Sequence, residues 1–154
     1  MPRYERPGLM LRIARDLRAF DTSLDRLDAA AASTLAISRN DLRALELVSR
    51  QGWMAAAVLA KHLGLTSGAV TTLIDRMEAK GLLARVADPH DRRRVRIQAT
   101  AEGIRREREL LGAHRRETAK WLARRPARDL AVIDAFLVEA RGAAETARMA
   151  IESR

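Results

Sequence analysis

The chain has 154 residues, enough for one hydrophobic core, although long helices could divide it into a compact lobe and a dimerisation lobe; 47% of it is apolar and only 3% aromatic, which favours helices packed through small and aliphatic side chains. Twenty-nine Lys and Arg against 20 Asp and Glu give a formal charge of +9, which suits a polyanionic partner, but position rather than total has to decide, because any Arg-rich composition raises the charge. The absence of cysteine excludes disulfides, thiol redox sensing and Cys-based zinc sites, and with only His62, His90 and His114 to offer imidazole, neither a metal nor a cofactor is expected.

The first eight residues, MPRYERPG, lack the apolar core of a secretion signal, and the longest apolar run, Trp53 to Ala60, is too short for a bilayer, so a cytoplasmic location is expected. From Met10 through Ile13, Leu17, Phe20, Leu24, Leu27 and Ala31, apolar residues recur at alternating steps of three and four, the seam of a helix that pairs with others. Ser38 and Asp41 have the spacing of a capping box, which predicts a helix to about Arg50, ended by Gly52. Trp53 is expected to pack in the core. Ala55 to Leu63 reads as a short helix without a polar N-cap, turning Val58, Leu59 and Leu63 inward, and Gly64-Leu65 follows as a tight turn.

Thr66 or Ser67 caps the next helix, whose Val70, Leu73, Ile74 and Met77 form an i, i+3, i+4, i+7 stripe and which stops at Gly81. Residues 82–86 and 95–99 read as two short strands around a turn-rich, charged tip, DPHDRRR, the pattern of a β-hairpin wing. Thr100 caps a further helix to about Ala123, Pro126 resets the chain, and Leu130, Ile133, Leu137, Ala140, Ala144, Ala147 and Ile151 repeat the 3-4 seam. A small middle lobe cannot bury two long apolar stripes alone, so a symmetric partner chain is expected to cover them.

The outward face of the helix from Thr66 to Lys80 carries Ser67, Gly68, Thr71, Thr72 and Arg76: short hydroxyls, a glycine and one long cation. Small residues in the first turns allow close approach to base edges, and hydroxyls bond to bases or phosphates. Taken singly, Thr71 and Thr72 would be ordinary solvated positions, and Arg76 would pair with a neighbouring carboxylate. The adjacent hairpin shifts the balance, because Arg92, Arg93, Arg94 and Arg96 crowd into five residues that Asp91 only partly offsets. An arginine at such a tip can enter the minor groove, with Asp91 holding a guanidinium extended; Arg93 is the expected one.

The run LGLTSGAVTTLIDRMEAKGLLAR at residues 63–85, followed by DPHDRRRV at 88–95, resembles the signature of the MarR family, with supporting likeness over 38–62 and 100–103. The resemblance implies one mainly α domain over 1–154 with a small β-hairpin wing: a winged helix-turn-helix over 38–100 and a dimerisation lobe formed by the N- and C-terminal helices, 8–33 and 101–154. It further implies a homodimer that sets two recognition helices into successive major grooves of a pseudo-palindromic double-stranded DNA operator, with the wings at flanking minor grooves. The resemblance usually implies repression, sometimes activation, and in many relatives DNA is released when a small aromatic or anionic effector binds between the lobes.

A catalytic role is not expected, since neither convergent acid–base or nucleophilic groups nor a phosphate-binding glycine loop occurs. The alternative is a basic helical interaction or membrane-surface protein using Arg105-Arg106, Arg115-Arg116 and Arg124-Arg125. Interspersed Glu102, Glu107, Glu109 and Glu117 favour a solvated face there instead.

Overall fold

The computed structural model describes residues 6–89, 91 and 94–153. In chain order these form α1 (Arg6–Thr34), α2 (Arg39–Gln51), α3 (Ala56–Leu63), α4 (Ser67–Ala79), β1 (Leu83–Ala87), β2 (Val95–Ala99), α5 (Ala101–Ala123) and α6 (Ala127–Glu152). The mainly α fold with one antiparallel hairpin is the architecture that the apolar periodicity predicts. The chain divides into two compact units, one up to Gly112 and the other from Ala113 onward.

The core of the first unit lies between α2, α3, α4 and the hairpin. Leu42, Leu45, Leu59, Leu73, Met77 and Ile97 are all fully or almost fully buried there. Ala31, Ala32 and Leu35, at the end of α1, join this core, and α1 packs on α2. The rest of the α1 seam remains open, with Met10, Ile13, Leu17 and Phe20 exposed. In the second unit α6 likewise leaves Phe136, Leu137, Met149 and Ile151 exposed.

Local chemistry explains the boundaries. Ser38 Oγ accepts from the Asp41 amide and the Asp41 carboxylate accepts from the Ser38 amide, so α2 begins on the predicted capping box. Gly52, at φ 81°, ends it. The α3 helix starts from Ala55, whose methyl cannot cap, and α4 starts from Thr66, whose Oγ1 accepts from the Ala69 amide. Pro126, at φ −66°, opens α6.

Two expectations about burial fail. Val58 is exposed, while Leu59 and Ala60 are buried. Successive helix positions lie about 100° apart, so one short face cannot take both Val58 and Leu59. Trp53 is 42% exposed rather than in the core, because the backbone of the next residue pairs with the hairpin: Met54 N–H donates to the Ile97 carbonyl at 2.9 Å and Ile97 N–H to the Met54 carbonyl at 2.8 Å. That bridge buries Met54, and the alternation of an extended strand turns Trp53 to the opposite side.

The hairpin pairs Leu83 with Ala99, Arg85 with Ile97 and Ala87 with Val95. Thr100 ties it to α5: its Oγ1 donates to the Gly81 carbonyl at 2.6 Å and accepts from the Gly103 amide at 2.9 Å. A Cβ on Gly103 would stand 2.2 Å from the Leu82 carbonyl oxygen, so only glycine allows α5 to start against that turn.

Candidate nucleic-acid interface

The four apolar residues of α4 that the sequence stripe names are all buried, which fixes the helix rotation and turns Ser67, Gly68, Thr71 and Thr72 to the surface together. Thr71 Oγ1 donates to the Ser67 carbonyl at 2.9 Å and Thr72 Oγ1 to the Gly68 carbonyl at 3.1 Å. With their protons committed inward, both hydroxyl oxygens keep acceptor capacity.

Arg76, expected on the same face, has a different setting. Its Nε donates to Asp41 Oδ2 at 3.0 Å and its Nη2 to Asp41 Oδ1 at 2.6 Å, a bidentate pair that joins α4 to the first turn of α2. The carboxylate is fully buried, whereas 45% of the arginine side chain is exposed. Burial pushes the Asp41 carboxyl up, but hydrogen bonds from Arg76 and Ser38 outweigh it and hold its pKa below the ordinary value. The capping box names Asp41 in the sequence; its second partner, 35 residues away, leaves no periodic signal.

A second arginine braces α4 from the other side. Arg85, in β1, bonds Asp75 at 2.7 Å and also pairs with Glu78, whose carboxylate accepts the Arg85 amide at 2.6 Å. The α4 helix is therefore tied to α2 through Arg76 and to the hairpin through Arg85.

At the hairpin tip, Asp88 N–H donates to the Arg94 carbonyl at 2.9 Å and Arg94 N–H to the Asp91 carbonyl at 2.8 Å. Asp91 meets the Arg94 guanidinium at 3.3 Å, and the Arg94 side chain is 79% exposed. Arg92 and Arg93, two of the expected site residues, lie outside the described residues, as does His90.

Arg96 is not a tip residue. Its Nε bonds Asp88 Oδ2 at 2.7 Å, its guanidinium lies 4.0 Å from the centre of the Trp53 ring, and only 17% of its side chain is exposed. The arginine cluster read from sequence thus divides, with Arg94 projecting and Arg96 folded back onto the domain. Among the described residues, no single helix is long and apolar enough to cross a membrane.

Residues 37–95 match the sequence pattern of the MarR family. The chain is 46% identical over 68 residues to an HTH-type transcriptional regulator, YcgE, of Bacillus subtilis, covering 44% of each protein. It is 32% identical over 79 residues to the multiple antibiotic resistance protein MarR of Salmonella typhimurium, covering 51% of this chain and 55% of that one. It therefore spans about half the length of these curated relatives. In fold it is similar to Streptococcus pneumoniae FabT solved in complex with DNA, with a TM-score of 0.65 and 22% identity over 89% of this chain and 98% of that one. The likeness to the MarR family in sequence thus lies in residues 37–95, and the likeness in fold extends over most of the chain.

Proposed function

We propose that this protein is a sequence-specific, double-stranded DNA-binding transcription regulator and not an enzyme, acting in the cytoplasm as a homodimer that represses from a pseudo-palindromic operator. The observation that carries this reading is the exposed row of Ser67, Gly68, Thr71 and Thr72 on α4, adjoining a hairpin whose tip projects Arg94. Support comes from the fold shared with FabT, a protein solved on DNA.

In this reading α4 enters the major groove by its N-terminal half, where Gly68 lets the backbone approach and the amides of the first turn face phosphate. The Thr71 and Thr72 oxygens accept hydrogen bonds, which suits the exocyclic amines of adenine or cytosine. The pair with Asp41 holds Arg76 in one pose beside this face, half exposed to the groove. At the wing, Asp91 restrains Arg94, while Arg92 and Arg93 supply further charge, Arg93 being the candidate for the minor groove.

The homodimer reading rests on the open apolar seams of α1 and α6, and relief by a small aromatic or anionic effector rests on the family resemblance. Selection of bound duplexes from a random pool tests the whole reading, with a recovered palindrome as the expected result. Arg93→Ala should weaken binding to that duplex by about tenfold and make its salt dependence shallower by about one unit of slope. Wild-type protein that recovers no preferred duplex would refute sequence-specific binding.

A further inference from the structure

One guanidinium joins three parts of the first unit. Arg96 stands on β2, and its hairpin register places it opposite Val86 on the face away from the buried Ile97. Asp88, at the base of the tip, lies diagonally across the ladder on the same face, and its carboxylate takes the Arg96 Nε. Trp53 comes from outside the hairpin, in the link between α2 and α3. Because Met54 pairs with Ile97, Trp53 is delivered beside Arg96, and its ring covers the guanidinium.

From this geometry we infer that Trp53, Arg96 and Asp88 form a clamp that aims the wing. The backbone bridge between Met54 and Ile97 holds the middle of β2, and the two-stranded ribbon from there to the tip is left free to twist. The clamp removes that freedom. Stacking restrains Arg96 against the link that leads into the helix-turn-helix, and the charged hydrogen bond restrains Asp88, from which the tip departs. Asp88 is also the residue whose amide bonds the Arg94 carbonyl, so the pose of Arg94 follows from it. Arg96 therefore acts as a positioning residue, and its charge serves the wing rather than DNA directly.

This inference rests on the DNA-binding reading for its consequence but not for its geometry, and two measurements separate them. The first is amide hydrogen exchange of the hairpin in the free, full-length protein. Trp53→Ala and the charge-conserving Arg96→Lys should each speed exchange at the hydrogen-bonded Asp88 and Arg94 amides by about tenfold, while the buried α4 amides and the thermal midpoint stay near wild type. Trp53→Phe, which keeps a ring for the guanidinium, should restore protection.

The second measurement is hydroxyl-radical footprinting on the selected duplex. Both disruptive variants should lose protection at the flanks, where the wings reach, and keep it at the half-site centres. Wild-type exchange at the hairpin in both variants would overturn the clamp. Fast exchange with an intact flanking footprint would overturn its role in aiming the wing. Wild-type protein that leaves no footprint would instead remove the DNA-binding reading, with the exchange result still deciding the clamp.

Discussion

Asp41 and Arg76 sit 35 residues apart in sequence and share two hydrogen bonds, at 3.0 and 2.6 Å, through which the helix carrying the hydroxyl face is fastened to the capped end of α2. The same carboxylate closes the capping box with Ser38, so one buried side chain serves a local and a long-range contact. Removing either partner should disturb both the fold and the presentation of α4.

Arg76→Ala leaves a fully buried carboxylate with only its Ser38 contacts. Breaking a buried ion pair typically costs about 3–5 kcal/mol, and the half-exposed guanidinium reduces this to about 2 kcal/mol. Urea unfolding should show that loss in the midpoint without a change of slope. A midpoint equal to wild type would mean that the pair contributes nothing to stability.

The same carboxyl gives a pH dependence of known sign. Its pKa is lower in the folded protein than in the unfolded chain, so its stabilisation is complete above the ordinary carboxylate value and disappears as pH falls through the depressed folded value. The gap in thermal midpoint between wild type and Asp41→Asn should therefore be constant near neutrality and close under acid. A gap that widens under acid would contradict the depressed pKa.

Gly103→Ala should destabilise by about 2 kcal/mol, because relieving a 2.2 Å approach to the Leu82 carbonyl means moving the start of α5 from the turn that Thr100 holds. Chemical denaturation measures the loss. Gly142→Ala in α6 is the control: its new Cβ meets nothing within 4 Å, and alanine favours the helix by about 1 kcal/mol.

Thr72→Ala removes an exposed oxygen without touching the four buried residues of α4. Selection from a random pool should show a changed base preference at one position of each half-site and an unchanged fold by circular dichroism. Recovery of the wild-type preference would exclude Thr72 from base contact.

Phe20→Glu puts charge on the open seam of α1. If a second copy covers that seam, losing a buried aromatic from each protomer costs about 3 kcal/mol or more per dimer, and sedimentation should shift from dimer toward monomer. A dimer equally stable to dilution would place the interface elsewhere.

The elements were legible in the sequence where the signal is local. The Ser38–Asp41 capping box, the Val70-Leu73-Ile74-Met77 stripe, the stops at Gly52 and Gly81 and the two strands around a charged turn each depend on a few neighbouring residues, and each stands within a residue or two of its expected place. The hydroxyl face of α4 followed directly, because burying one helical stripe leaves only one rotation for the other residues.

The roles of the arginines were not legible. A composition count treats Arg76, Arg94 and Arg96 alike, yet the fold pairs Arg76 with Asp41, projects Arg94 and stacks Arg96 on Trp53. Trp53 itself looks like a core residue until Met54 takes the buried position on the hairpin. Periodicity and capping act over one or two turns, so the sequence by itself determined the helices, the hairpin and which face of α4 is open. An ion pair or a ring stack depends on which distant backbones the core brings together, and only the tertiary structure decided which cations face outward and which hold the domain in shape.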